Sequence, residues 1–219
     1  MVEISTSILG TKKGEESKTF FALEVAKTDY FHIDVMDGKF VKNNTYQKMF
    51  ENASYIKRIS NLPLDIHLMV ENVKDAIDDF SAVEPNIITF HYEVCKSKEE
   101  VYKNIRYIKE CNCKVGLAVK PETKIEEIYE FLPYIHMCLV MTVEPGKGGQ
   151  TFIEETLEKV AKLKEYVKNN DIEIDIEVDG GINLATAPKA KEAGANVLVA
   201  GSAILMAKDY KVIIDDLRA

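Results

Sequence analysis

Ile172-Glu173-Ile174-Asp175-Ile176-Glu177-Val178-Asp179-Gly180-Gly181 is the stretch whose reading decides the fold. Apolar and acidic residues alternate along it, as in a strand with two unlike faces. Ile172, Ile174, Ile176 and Val178 share one face, and Asp175, Glu177 and Asp179 share the other. Similar short apolar runs recur at 3–7, 30–35, 64–69, 87–91, 114–119, 138–143 and 197–200. Amphipathic, charge-rich runs separate them, near 15–28, 46–59, 72–83, 97–111, 123–131, 153–169, 184–193 and 208–217. Eight strand-then-helix units predict a closed parallel (β/α)8 TIM barrel, with an open doubly wound sheet as runner-up. In a barrel the apolar face of 172–179 meets the helices, so its three acids point inward, where they need cationic or hydrogen-bonding partners.

No Pro/Gly/Ser-rich linker or shift in composition divides the chain, so residues 1–219 read as a single domain. A chain of 219 residues can bury roughly 70% of its unfolded surface without disulfides. It carries 28 Lys+Arg against 36 Asp+Glu, a net charge of −8, with no basic stripe. That balance argues against nucleic-acid and anionic-membrane partners but leaves an anionic small molecule open. Cys95, Cys111, Cys113 and Cys138 form no C-x-x-C pair and read as reduced structural thiols. The N-terminal residues lack a basic region followed by an apolar core, and the longest apolar run, Met137 to Met141, is too short to span a bilayer. The expectation is a cytoplasmic protein.

Chemistry in such a barrel sits at the C-terminal ends of the strands. The second strand runs through His32-Ile33-Asp34-Val35-Met36, placing His32, Asp34 and Met36 on one face. The third puts His67 with Met69, and the seventh ends at Asp179. Two imidazoles and two carboxylates, His32, His67, Asp34 and Asp179, make a competent ligand set for one divalent metal ion. Mixed N/O ligation suits Zn²⁺, Fe²⁺, Mn²⁺ or Co²⁺ without choosing among them. The bland reading of each histidine, a satisfied core residue, is weakened by their shared position at strand ends.

Glycine-rich turns follow the last three strands. They are Gly146, Lys147, Gly148 and Gly149 after the sixth, Gly180 and Gly181 after the seventh, and Gly201 and Ser202 after the eighth. Backbone N–H groups in such turns cradle phosphate, and barrels often bind phosphate there. The spacing of a nucleotide P-loop is missing.

The runs His32-Ile-Asp-Val-Met-Asp-Gly38, Asp65-Ile-His-Leu-Met-Val70, Met141-Thr-Val-Glu-Pro-Gly-Lys-Gly-Gly-Gln-Thr-Phe152, Glu177-Val-Asp-Gly-Gly181 and Val199-Ala-Gly-Ser-Ala203 together resemble the ribulose-phosphate 3-epimerase family. The resemblance extends from Ile4 to the last helix. It implies an isomerase of the pentose phosphate pathway that interconverts D-ribulose 5-phosphate and D-xylulose 5-phosphate. It also implies that Asp34 and Asp179 are the acid/base pair and that His32, Asp34, His67 and Asp179 hold the metal. Ser7 and His67 would contact the sugar, the glycine turns would surround the phosphate, and Met36, Met69 and Met141 would cap the reacting carbon. A homo-oligomer is expected.

The chain departs from the family pattern at several points. Lys147 stands where Phe is usual, Lys120 where Asn is, and Tyr92 where Pro is. Lys39, Lys42 and the Tyr46-Gln47-Lys48 segment differ as well. Lys39 and Lys42 read as drift, whereas Lys147 is expected to reach the phosphate or its entrance. Two rival functions are a hexulose-6-phosphate (allulose 6-phosphate) 3-epimerase and a catalytically silent phosphosugar-binding barrel. Gly148 and Gly181 favour the pentulose enzyme over the first, and the intact histidines and carboxylates argue against the second. A decarboxylase or synthase on a related barrel would need an Asp-x-Lys-x-x-Asp motif, and Asp34-Val-Met-Asp37 offers no Lys.

Overall fold

The computed structural model describes residues 2–219. Eight strands, β1 (Glu3–Ser7), β2 (Tyr30–Met36), β3 (Leu64–Met69), β4 (Ile87–His91), β5 (Lys114–Val119), β6 (Met137–Met141), β7 (Asp175–Asp179) and β8 (Val197–Ala200), close into a barrel in sequence order. Every neighbouring pair is parallel. The helices are α1 (Glu16–Val25), α2 (Tyr46–Ile59), α3 (Val73–Ser81), α4 (Lys98–Glu110), α5 (Thr156–Asn169), α6 (Ala187–Ala193), α7 (Ser202–Leu205) and α8 (Tyr210–Arg218). The barrel is the expected one.

The period-2 pattern sorts side chains as the sequence implies. Phe31, Ile33, Ile66, Phe90, Leu117 and Val178 belong to the apolar layer between strands and helices, packed with Phe20, Phe80, Ile108 and Phe131. Each such side chain, fully withdrawn from water, contributes about 1.5–3 kcal/mol. The alternate residues fill the barrel. His32, Asp65, His67, Thr89 and Glu177 are fully buried there although polar. Asp175 sits half-buried at the lower mouth, where it accepts a hydrogen bond from Asn196 Nδ2 at 2.6 Å.

Space inside is tight. Gly116 pairs with Thr89, and a Cβ on Gly116 would lie 2.0 Å from the Thr89 hydroxyl. Gly116→Ala is therefore expected to cost about 1–3 kcal/mol through overpacking, read as a lower urea midpoint in equilibrium unfolding.

Several bounds differ from the sequence reading, among them the sixth strand, which runs Met137–Met141 rather than over 138–143. The seventh strand begins at Asp175 rather than at 172. The Ile172 N–H is spent on Val167 O at 2.9 Å, tying off α5, so it does not join the sheet. The fifth crossover is a 3-10 helix, Ile125–Tyr134, with Pro133 inside it, in place of an α-helix over 123–131. Pro133 has no N–H to extend an α-helical ladder. The turn after β8 winds into the short helix α7, which apolar periodicity over four residues could not announce.

Candidate active site

Strand register assembles the site. Asp34 on β2 pairs with His67 on β3, Met36 with Met69, Met141 with Asp179, and Ser7 with His32. Asp34 Oδ1 stands 3.4 Å from both His32 Nε2 and His67 Nδ1. Asp179 Oδ2 lies 3.9 Å from the first nitrogen and 3.6 Å from the second. One donor atom from each of the four residues thus falls within 4.8 Å of all the others.

The remaining ring nitrogens are engaged from behind. His32 Nδ1 is 2.6 Å from Asp65 Oδ2, and Ser5 Oγ donates to the same oxygen at 2.8 Å. His67 Nε2 is 2.9 Å from His91 Nε2. Among the described residues, His32 Nε2 and His67 Nδ1 are buried with no hydrogen-bond partner. Two orphaned imidazole nitrogens facing two carboxylates fit a divalent cation, because an orphaned buried polar atom is otherwise costly. His32, Asp34, His67 and Asp179 are the residues that could hold it.

Electrostatics split the two carboxylates. Burial opposes ionisation of Asp34, but the His32 charge and the close approach of both imidazoles outweigh it and hold the group well below the usual carboxylate range. Burial and the neighbouring Asp34 charge push Asp179 up to about 7. Burial lowers His67, whereas Asp65 and Asp34 overcome burial at His32 and raise it. Without a cation, Asp34 is ionised near neutral pH while Asp179 titrates there, a division suited to acid/base work.

A cation must displace the Asp179 proton, so divalent-metal affinity should fall as pH drops below about 7. Chelator competition between pH 8 and pH 5.5 measures this. The raised Asp179 value has a second consequence for metal-free protein. Its stability contribution is full below the ordinary carboxylate range and is lost as pH rises through about 7.

A cavity opens above the carboxylates. Asp34, Asp179 and Ser7 form its floor, and Ser7 Oγ donates to Asp34 Oδ2 at 2.6 Å. Met36, Met69 and Met141 all line it. Met36 and Met69 pack with Val41 and Phe40, and Met141 packs with Leu139, Ala118 and Val143. The Gly146–Gly149, Gly180–Gly181 and Gly201–Ser202 turns line the same cavity. Gly181 has φ +68°, and a Cβ there would lie 2.7 Å from Phe152 N, so only glycine fits. Asn43 Nδ2 donates to Gly146 O at 2.7 Å, linking the loop after β2 to the loop after β6.

The structure brings together nearly every residue singled out from the sequence. His32 and His67 do not line the cavity; they are fully buried behind the carboxylates. Lys147 is exposed at the cavity wall. Lys120 does not line it, and its Nζ instead lies 4.5 Å from the Phe40 ring centroid. Lys39 and Lys42 are exposed and do not line the cavity. Asp65, His91 and Glu93 were not anticipated. Alternation puts Asp65 and His91 on the inward face of their strands, but only the strand register shows which ring each one meets.

Residues 3–205 match the family model described as the ribulose-phosphate 3 epimerase family. The chain belongs to this family. Among its members, the ribulose-phosphate 3-epimerase of Methanocaldococcus jannaschii is 40% identical over 218 residues, covering 100% of this chain and 90% of the relative. The chloroplastic ribulose-5-phosphate-3-epimerase of Arabidopsis thaliana is 38% identical, covering 99% of this chain and 76% of that protein. The Bacillus subtilis ribulose-phosphate 3-epimerase is 36% identical, with 100% and 99% covered. These ribulose-phosphate 3-epimerases are isomerases of carbohydrate phosphates, and the chain is an enzyme of that kind. A more distant likeness is to KGPDC from Streptococcus mutans, 9% identical with a TM-score of 0.72, covering 100% of this chain and 96% of that one. At that identity it speaks for the barrel alone.

Proposed function

We propose that the enzyme interconverts D-ribulose 5-phosphate and D-xylulose 5-phosphate by proton transfer at C3, with Asp34 and Asp179 as the acid/base pair. The observation that carries this reading is geometric: Asp34 from β2 and Asp179 from β7 line one cavity together with the glycine turns. Epimerisation next to a carbonyl removes a proton from one face and returns one to the other. Two groups approaching from β2 and β7 perform this most simply, and each turnover leaves them ready for the reverse reaction.

The glycine turns would hold the phosphate with backbone N–H groups, fixing C3 over the carboxylates. The Ser7 hydroxyl steers Asp34 through its 2.6 Å hydrogen bond. Met36, Met69 and Met141 supply a polarizable wall that excludes water without offering a competing proton donor. His32, Asp34, His67 and Asp179 would hold one Zn²⁺, Fe²⁺, Mn²⁺ or Co²⁺ ion. That ion, when bound, supplies Lewis-acid stabilisation of the negative charge that develops beside C3. The reaction belongs to the pentose phosphate pathway.

Parallel turnover assays on D-ribulose 5-phosphate and D-allulose 6-phosphate test the substrate assignment. A kcat/KM at least tenfold higher for the pentulose is expected, and the reverse preference would overturn it. Lys147, at the cavity wall, adds a mobile positive charge near the phosphate turns. Lys147→Phe should raise KM several-fold at low ionic strength, and the difference should shrink in high salt as the charge is screened.

A further inference from the structure

We propose that Glu93 and His91 are positioning residues that set which nitrogen of His67 carries its proton, so that His67 Nδ1 offers a lone pair to the cation. This rests on the metal reading above. Glu93 is the fixed end of the chain. Its Oε1 accepts the Lys120 backbone N–H at 2.7 Å and the Thr123 hydroxyl, and its Oε2 lies 3.1 Å from His91 Nδ1. A carboxylate can only accept. The contact therefore places the His91 proton on Nδ1 and leaves His91 Nε2 as an acceptor. His91 Nε2 is 2.9 Å from His67 Nε2, and two acceptors cannot bond, so the His67 proton sits on Nε2.

The ring geometry supports this chain. The centroids of His67 and His91 are 5.1 Å apart with planes 29° from each other. A nitrogen separation of 2.9 Å with that centroid distance is an end-to-end contact rather than a face-to-face stack. Phe40 packs against His91, its centroid 5.0 Å away, and holds the ring in place. At the far end His67 Nδ1 is buried without a hydrogen-bond partner, 3.4 Å from Asp34 Oδ1. His32 reaches a carboxylate in one step, because its Nδ1–H donates to Asp65 Oδ2 directly. His67 reaches it in two, through a neutral imidazole.

Glu93→Gln makes the chain testable, since it keeps the shape and changes one end from acceptor to donor. The Lys120 N–H and the Thr123 hydroxyl both donate to the Oε1 position, so the amide oxygen must stay there. The new NH2 then faces His91 Nδ1 and donates. The His91 proton moves to Nε2, His67 Nε2 becomes the acceptor, and the His67 proton moves to Nδ1, where the cation needs a lone pair. Outer-shell partners of metal-binding histidines typically change affinity by about 10–100-fold.

The experiment uses the full chain, histidine-labelled with ¹⁵N and stripped of metal. Two-bond ¹⁵N–¹H correlation spectra report which ring nitrogen is protonated. Wild type should show His67 protonated on Nε2 and His91 on Nδ1, and Glu93→Gln should show His67 protonated on Nδ1. Zn²⁺ affinity, measured by competition with a chromophoric chelator, should fall at least tenfold in Glu93→Gln. It should stay within twofold in Thr123→Val, which removes a contact to the same carboxylate while keeping its charge. A wild-type His67 protonated on Nδ1 would overturn the proposal whether or not the variant folds. So would an unchanged His67 pattern, or an unchanged Zn²⁺ affinity, in folded Glu93→Gln. A wild-type protein with the expected protonation pattern that binds no Zn²⁺ would uphold the chain and refute the metal reading instead.

Discussion

Asp34→Asn and Asp179→Asn are each expected to lower epimerisation of D-ribulose 5-phosphate by about a thousandfold or more. Proton transfer by a positioned group contributes about 10²–10⁴-fold, and either change removes one of the two groups outright. Asn keeps the volume and an oxygen that can ligate, so metal content measured on the same samples separates lost chemistry from lost metal. The two variants should also differ in kind. The carboxylate that remains can still lift and return its own proton, so each variant should retain C3 exchange with one epimer and lose it with the other. Identical loss with both epimers in both variants would speak against groups acting from two sides. Near wild-type turnover in either, with metal retained, would refute the assignment.

Metal removal should have the next largest effect. Four carboxylates, Asp34, Asp65, Glu177 and Asp179, converge on two buried imidazoles, with Glu177 fully buried and both its oxygens unpartnered. Burial and the Asp65 charge push Glu177 well above the usual carboxylate range. A divalent cation offsets the remaining excess of acid. Dialysis against a chelator should therefore abolish activity, and added Zn²⁺, Fe²⁺, Mn²⁺ or Co²⁺ should restore it to differing extents. An ion at a hundred times its dissociation constant stabilises by about 2.7 kcal/mol. For a chain of this size that is a rise in Tm of about 5–10 °C. Full activity and an unchanged Tm after chelation would contradict the metal reading.

The barrel was legible because two faces of each strand were written in different chemistry. The Ile176 and Val178 side of β7 met the helices, and Glu177 and Asp179 turned inward, as alternation requires. Ends were harder to read. Ile172 has a strand's composition, but its N–H closes α5. The site was legible wherever a polar side chain sat at a strand end beside a soft or acidic neighbour, as at His32, Asp34, His67 and Asp179. Its supporting layer was not. Asp65 and His91 act through other rings, and their partners come from strand register rather than from nearby sequence: Asp65 meets His32 across β2 and β3. The link from His91 to Glu93 was local, yet nothing in the sequence ties those two residues to His67 without the third strand beside the fourth.

Proton transfer at C3 between Asp34 and Asp179 is best tested by the fate of one hydrogen. Metal-replete wild-type enzyme is equilibrated in heavy water, given unlabelled D-ribulose 5-phosphate and stopped at low conversion. The prediction is that the D-xylulose 5-phosphate formed carries solvent deuterium at C3 from the first turnovers, because the returning proton comes from a different carboxylate than the one that took the original. Product that retains the substrate's own hydrogen at C3 would contradict it.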